Sequence, residues 1–121
     1  MGKILCKCGE LIIDQTDNLI FKSSYIKDID NDKAARYIDD IQSFIKAIEK
    51  NERILWLENY FGSEAYNSLD NSSIINDIVL KNKINFEKVI YQCLKCKRLY
   101  VENLNDFSIF KYEEGVENIF D

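Results

Sequence analysis

The chain contains no histidine and no proline, only four glycines, and no charge-free run longer than six residues. The missing histidine removes the commonest general base and the usual nitrogen ligand for a metal. The short charge-free runs exclude a membrane-spanning helix of the length a bilayer requires. Lys3 has no continuous apolar stretch behind it, so no secretory leader is read at the N-terminus. Neither a glycine-rich phosphate loop, nor HExxH, nor a serine elbow is present, and the reading is of a protein that is not an enzyme. Carboxylate pairs arise by chance among 21 acidic residues, yet none has a distinctive spacing. Heavy use of Ile, Asn and Lys is what an AT-rich genome produces and bears on ancestry, not chemistry.

What is present begins with charge. The 21 Asp and Glu outnumber 16 Lys and Arg, for a formal net charge of −5. Nucleic-acid binders usually show the reverse, with basic residues clustered to displace counterions from phosphates. An acidic surface suits a basic protein partner, through electrostatic steering. A length of 121 residues and an apolar share of 46% fit one folded domain with a single core.

The four cysteines fall in two pairs, Cys6 and Cys8 in CKCG, and Cys93 and Cys96 in CLKCK. With no leader, the expected compartment is the cytoplasm, where thiols stay reduced and clustered cysteines argue for a metal before disulfides. Zinc takes four ligands tetrahedrally, and two cysteines one or two residues apart at a hairpin corner reach one ion together. Amides of the curled corner point at the thiolates, and a glycine after the second cysteine relieves the strain. Gly9 fills that place in the first corner; Lys97 stands there in the second. Apolar segments flank both corners, Ile4-Leu5 and Leu11–Ile13 for one, Val89–Tyr91 and Leu99–Val101 for the other. Four thiolates leave no open position, so the expected cofactor is a structural Zn2+ held by Cys6, Cys8, Cys93 and Cys96, and iron fits the same sulfurs. Four unrelated buried thiols and a Cys93–Cys96 redox pair are the competing readings. Metal binding of this kind contributes to folding, so chelation is expected to loosen the whole domain.

The remaining elements follow from periodicity. Residues 3–5 and 10–13 read as strands around the first corner, and 19–26 as another. Asp30 or Asn31 is the expected N-cap of a long helix whose apolar stripe is Ala34, Tyr37, Ile38, Ile41, Phe44, Ile45 and Ile48, facing the core. Residues 52–62 form a second helix closed by Gly62, with Trp56 in the core. A third helix is capped by Ser72 or Ser73 and carries Ile74, Ile75, Ile78 and Val79. The second cysteine hairpin spans about 88–102. Phe107, Ile109 and Tyr112 suggest a last strand before an acidic tail. The fold class is α+β, a zinc-ribbon-like pair of β-hairpins joined by a four-cysteine metal site with a helical insertion. Within the single domain 1–121, residues 1–27 are hairpin and strand, 28–82 the helical middle, and 83–121 the second hairpin, strand and tail.

The stretches CKCGELIIDQTDNLIFK, LENYFG and YQCLKCKRLYVE together resemble a group of small bacterial proteins with a C-x-C-G opening, a T-D-x-L step and a C-terminal C-x-x-C hairpin. Ile20 stands where that group has proline. The resemblance covers most of the chain, with only the cysteine framework chemically specific. Proteins of this kind are similar to immunity proteins of bacterial toxin systems, which implies a stoichiometric inhibitor with a protein partner, a basic toxin domain. Candidate contacts are Asp28, Asp30 and Asp32 before the long helix, or Glu113, Glu114 and Glu117 in the tail; each cluster also reads as solvated acidic surface. The alternative is a nucleic-acid-binding or regulatory zinc ribbon using Lys95, Lys97 and Arg98 beside Tyr91 and Tyr100.

Overall fold

The computed structural model describes residues 2–121 and divides into two compact units. One unit is made by the stretches up to Tyr25 and from Glu87 onward; the other is Ile26–Phe86, the helical middle expected over 28–82.

Among the described residues, the strands all fall in the first unit. β1 (Gly2–Leu5) and β2 (Leu11–Asp14) form an antiparallel pair in which Leu5 faces Leu11 and Gly2 faces Asp14. β3 (Lys22–Tyr25), β4 (Lys88–Gln92), β5 (Leu99–Asn103) and β6 (Asp106–Phe110) make a second antiparallel sheet in that order. β3 is shorter than expected, and β6 ends before Tyr112. The period-2 rule is plain in β2, where Ile12 and Asp14 point inward and Leu11 and Ile13 outward. The core is small: Cys6, Ile12, Tyr91, Cys93 and Tyr100, with Ile4, Phe21, Val89 and Phe107 packed around it.

The second unit is helical. A 3-10 turn at Asp28–Asp30 leads into a single turn, α1 (Asn31–Ala34), followed by α2 (Tyr37–Glu49), α3 (Arg53–Phe61) and α4 (Asn71–Ile84). The long helix expected from Asp30 or Asn31 is thus broken at Ala35–Arg36. Neither Asp30 nor Arg36 makes a side-chain cap, so the break has no local signature of the usual kind. Gly62 closes α3 in the left-handed conformation, φ +68°, as its position implied. The cap of α4 is Asp70, whose carboxylate accepts from the Ser73 amide at 2.8 Å, and not Ser72 or Ser73. A carboxylate two or three residues earlier satisfies the same orphan amides and adds charge suited to the helix's positive end.

Phe44, Leu57, Ile74 and Ile78 are fully buried here, with Tyr37, Ile41, Ile48, Trp56 and Tyr60 packed against them. Trp56 stacks on Tyr60 at 4.5 Å and donates its indole N–H to Ser43 Oγ at 2.9 Å. The apolar stripe of α2 only partly faces inward: Ile38 and Ile45 remain 51% and 43% exposed, while Ala47, outside the stripe, is buried. Polar side chains lace the three longer helices. Asp40 on α2 accepts from the Tyr60 hydroxyl at 2.6 Å and from the Asn82 amide at 3.2 Å. Arg53 fastens the connection after α3, donating to the Asn67 carbonyl at 3.0 Å, the Leu69 carbonyl and Asn71 Oδ1.

Candidate metal centre

Each cysteine pair sits in a loop that the backbone closes in the same way. In the first, the Cys6 amide donates to the Glu10 carbonyl (2.8 Å) and the Gly9 amide to the Cys6 carbonyl (2.9 Å). In the second, the Cys93 amide donates to the Arg98 carbonyl (2.9 Å) and the Lys97 amide to the Cys93 carbonyl (2.8 Å). The second loop is one residue longer, as C-x-x-C requires over C-x-C. Gly9 and Lys97 occupy the matching positions after the second cysteine, with φ of +98° and +69°. Only glycine adopts such angles without cost, so the second corner carries a side chain in a conformation that disfavours one.

The two loops bring their sulfurs together from opposite ends of the sequence. All four Sγ atoms lie within 4.8 Å of one another. Cys6 meets Cys96 at 3.4 Å and Cys8 meets Cys93 at 3.6 Å, and all four are free thiols. A zinc ion about 2.3 Å from each sulfur spaces the sulfurs ~3.8 Å apart, close to both contacts. Cys6 and Cys93 are buried, Cys8 and Cys96 half-buried. The donor set is four soft sulfurs and nothing else, which fits a dication that prefers thiolate.

The surroundings favour negative charge on Cys6 and Cys96 and disfavour it on Cys93. Burial alone would push the Cys6 thiol up, but the Cys8 amide, the Tyr100 hydroxyl and the Cys96 and Cys8 thiols outweigh it and bring it down to about 6. Cys93 goes the other way, to about 12, because burial and the adjoining Cys8 and Cys6 thiols prevail over the Lys95 and Cys96 amides. At Cys96, burial is overcome by the Arg98 amide and guanidinium, and the thiol is lowered. Arg98 Nη1 lies 3.2 Å from Cys96 Sγ, and the Tyr100 hydroxyl accepts from the Lys7 amide at 3.1 Å while facing Cys6. Sulfurs of one cluster that favour opposite protonation states are what a metal ion levels, since it binds thiolate and displaces protons.

Two buried polar residues support the unit. Asp14 is 6% exposed and accepts from Lys22 Nζ at 2.7 Å and from the Tyr91 hydroxyl, so one carboxylate ties β2 to β3 and β4. Gln92, 2% exposed, donates to the Glu117 carbonyl at 2.6 Å and accepts from the Ile119 amide at 3.2 Å, pinning the tail by its backbone. Lys97 Nζ reaches Asn118 Oδ1 at 2.6 Å. The alternation of LIID already puts Asp14 on the Ile12 face; nothing in the sequence links Gln92 to residues 117 and 119.

The candidate acidic contacts lie apart from the cysteines in sequence, though the Glu117 backbone is held by Gln92, the residue before Cys93. Asp28 and Asp32 are exposed, Asp30 half-buried, and Ile29 between them is 83% exposed. Glu113, Glu114 and Glu117 are exposed along the tail. Among the described residues no helix is long and apolar enough to cross a membrane.

The chain belongs to the family described as a domain of unknown function, DUF8617, whose model matches residues 2–114 and so takes in all four cysteines. No curated protein and no solved structure matches it.

Proposed function

We propose that Cys6, Cys8, Cys93 and Cys96 hold one structural zinc ion in a zinc-ribbon-like pair of hairpins, and that the protein so braced is a non-catalytic inhibitor of the immunity type, neutralising a basic toxin domain. The observation that carries the metal reading is the meeting of four sulfurs from both ends of the chain within 4.8 Å. Four thiolates saturate the ion, which leaves no site for an activated water and makes its role structural. The reduced thiols suit the cytoplasm.

One surface feature supports binding. The segment Asp28–Asp32 offers an exposed apolar side chain, Ile29, flanked in sequence by Asp28 and Asp30, a pattern suited to a basic partner with a shallow apolar pocket. The knuckle cations suit nucleic acid less well, since Arg98 faces the Cys96 sulfur and Lys97 is bonded to Asn118.

Metal analysis of purified protein should find about one zinc per chain, lost in Cys93→Ser. The absence of any stoichiometric transition metal would remove the brace from the reading. Co-expression with a toxin domain encoded beside it should restore growth, and the triple variant Asp28→Asn, Asp30→Asn, Asp32→Asn should slow association about tenfold at low salt. Growth arrest that persists beside soluble, metal-loaded protein would count against the immunity role.

A further inference from the structure

All four sulfurs lie within 4.8 Å of one another, and two of their contacts, at 3.4 and 3.6 Å, join one hairpin to the other. These are Cys6 with Cys96 and Cys8 with Cys93. Each also joins one buried sulfur, Cys6 or Cys93, to one half-buried sulfur, Cys96 or Cys8.

We propose that the four thiols are a reversible site of thiol–disulfide exchange, at which a low-molecular-weight disulfide releases the metal and closes the cross-links Cys6–Cys96 and Cys8–Cys93. The proposal rests on the zinc reading for its reduced state. Its distinctive content is that oxidation keeps the two ends of the chain joined, since the cross-links span 90 and 85 residues.

The half-buried sulfurs are the points of entry. Cys8 thiolate attacks one sulfur of RSSR, breaks that S–S bond and expels RS−, leaving a mixed disulfide on Cys8. Cys93 thiolate then attacks the Cys8 sulfur and expels the second RS−. Cys96 and Cys6 repeat the sequence with a second RSSR. Each cross-link takes two electrons from two thiolates and delivers them to one RSSR, which leaves as two thiolates. The metal departs as the dication when its ligands are consumed. The Arg98 guanidinium, 3.2 Å from Cys96 Sγ, makes that entry point electropositive. Each pair must close by roughly 1.4–1.6 Å to reach a disulfide bond of about 2.05 Å.

Disulfides within each hairpin, Cys6–Cys8 and Cys93–Cys96, would instead cut the link between the chain ends, so the two outcomes are opposite in structure. They are also separable by trypsin, because Lys7 and Lys95 lie inside the two pairs. Full-length protein, its zinc content measured first, is treated with oxidised glutathione while a chromophoric chelator follows the metal. The protein is then digested without reduction and mapped by mass spectrometry. The expected result is zinc release in step with thiol loss, peptides joined as Cys6–Cys96 and Cys8–Cys93, and recovery of zinc binding after dithiothreitol. Peptides joined as Cys6–Cys8 or Cys93–Cys96, or oxidation that stops at glutathione adducts, would overturn it. A sample that holds no zinc at the outset counts against the metal reading alone, and the mapped peptides still decide the pairing. At early times and with substoichiometric oxidised glutathione, the zinc-loaded wild-type protein should carry its first glutathione adducts on Cys8 and Cys96, the half-buried sulfurs. First adducts on Cys6 or Cys93 would remove the assigned entry points.

Discussion

In the helical unit the four fully buried side chains, Phe44, Leu57, Ile74 and Ile78, are all hydrocarbon, and a run of aromatic rings backs them. In the hairpin unit two of the five buried core residues, Cys6 and Cys93, are metal-ligand candidates, and two more, Tyr91 and Tyr100, spend their hydroxyls on Asp14 and around Cys6. One unit gains from apolar area removed from water; the other has fewer buried hydrocarbon side chains and places at its centre four thiols that could hold a metal ion. Chains that cannot build a sufficient core commonly use a metal in this way.

The largest effect that would sharpen this contrast is metal removal. Structural zinc in small domains contributes on the order of 10 kcal/mol of apparent folding energy at neutral pH, so chelation or Cys93→Ser should unfold the hairpin unit. The sequence alone suggested that the whole chain would loosen. Two separate cores now confine the expected loss to the strands, with the helical circular-dichroism signal retained. Loss of both signals together would break the contrast. Phe44→Ala is the reciprocal test: it should cost the helical unit about 3–5 kcal/mol in chemical denaturation and leave metal content unchanged.

Asp14 is the next in size. Hydrogen bonds from Lys22 and Tyr91 outweigh burial and hold its carboxyl below the ordinary carboxylate range. A folded-state value below the unfolded one gives stability that is full above the unfolded range, and it is lost as the pH falls through the depressed value. Asp14→Asn should therefore cost about 1–3 kcal/mol at neutral pH. It should also flatten the acid side of the stability profile of the hairpin unit alone. A variant with wild-type acid sensitivity would show that other carboxylates govern that side. Smallest of all, Lys97→Gly should raise metal-loaded stability by about 1 kcal/mol or less. It relieves the positive φ that Gly9 already accommodates in the first loop, at the loss of one exposed bond to Asn118. A clear destabilisation would mean the tail contact matters more than the backbone.

Much of the fold was legible because its causes are local. The cysteine spacings, Gly62 at the end of α3 and the alternation in β2 depend on neighbours one to four residues away, and each reads directly from the chain. The acidic caps misled for the same reason: Asp30 has the right identity before α1, but its side chain makes no cap, and Asp70, two residues ahead of the serine expected to cap, does. The stripe on α2 placed Ile38 and Ile45 inward because periodicity gives an angle around a helix and not the width of what packs against it.

Spacing and backbone preference, which act over a few bonds, already mark which residues are the candidate soft ligands, that each pair turns a tight corner, and where helix and strand alternate. Only the tertiary structure decided that Cys6 faces Cys96, that Asp14 is buried beneath Tyr91 and Lys22, and that Gln92 grips residues 117 and 119. All of those pairings but Asp14 with Lys22 join residues more than twenty positions apart, and what lies across a core is set by how whole sheets and loops pack, which no short window of residues encodes.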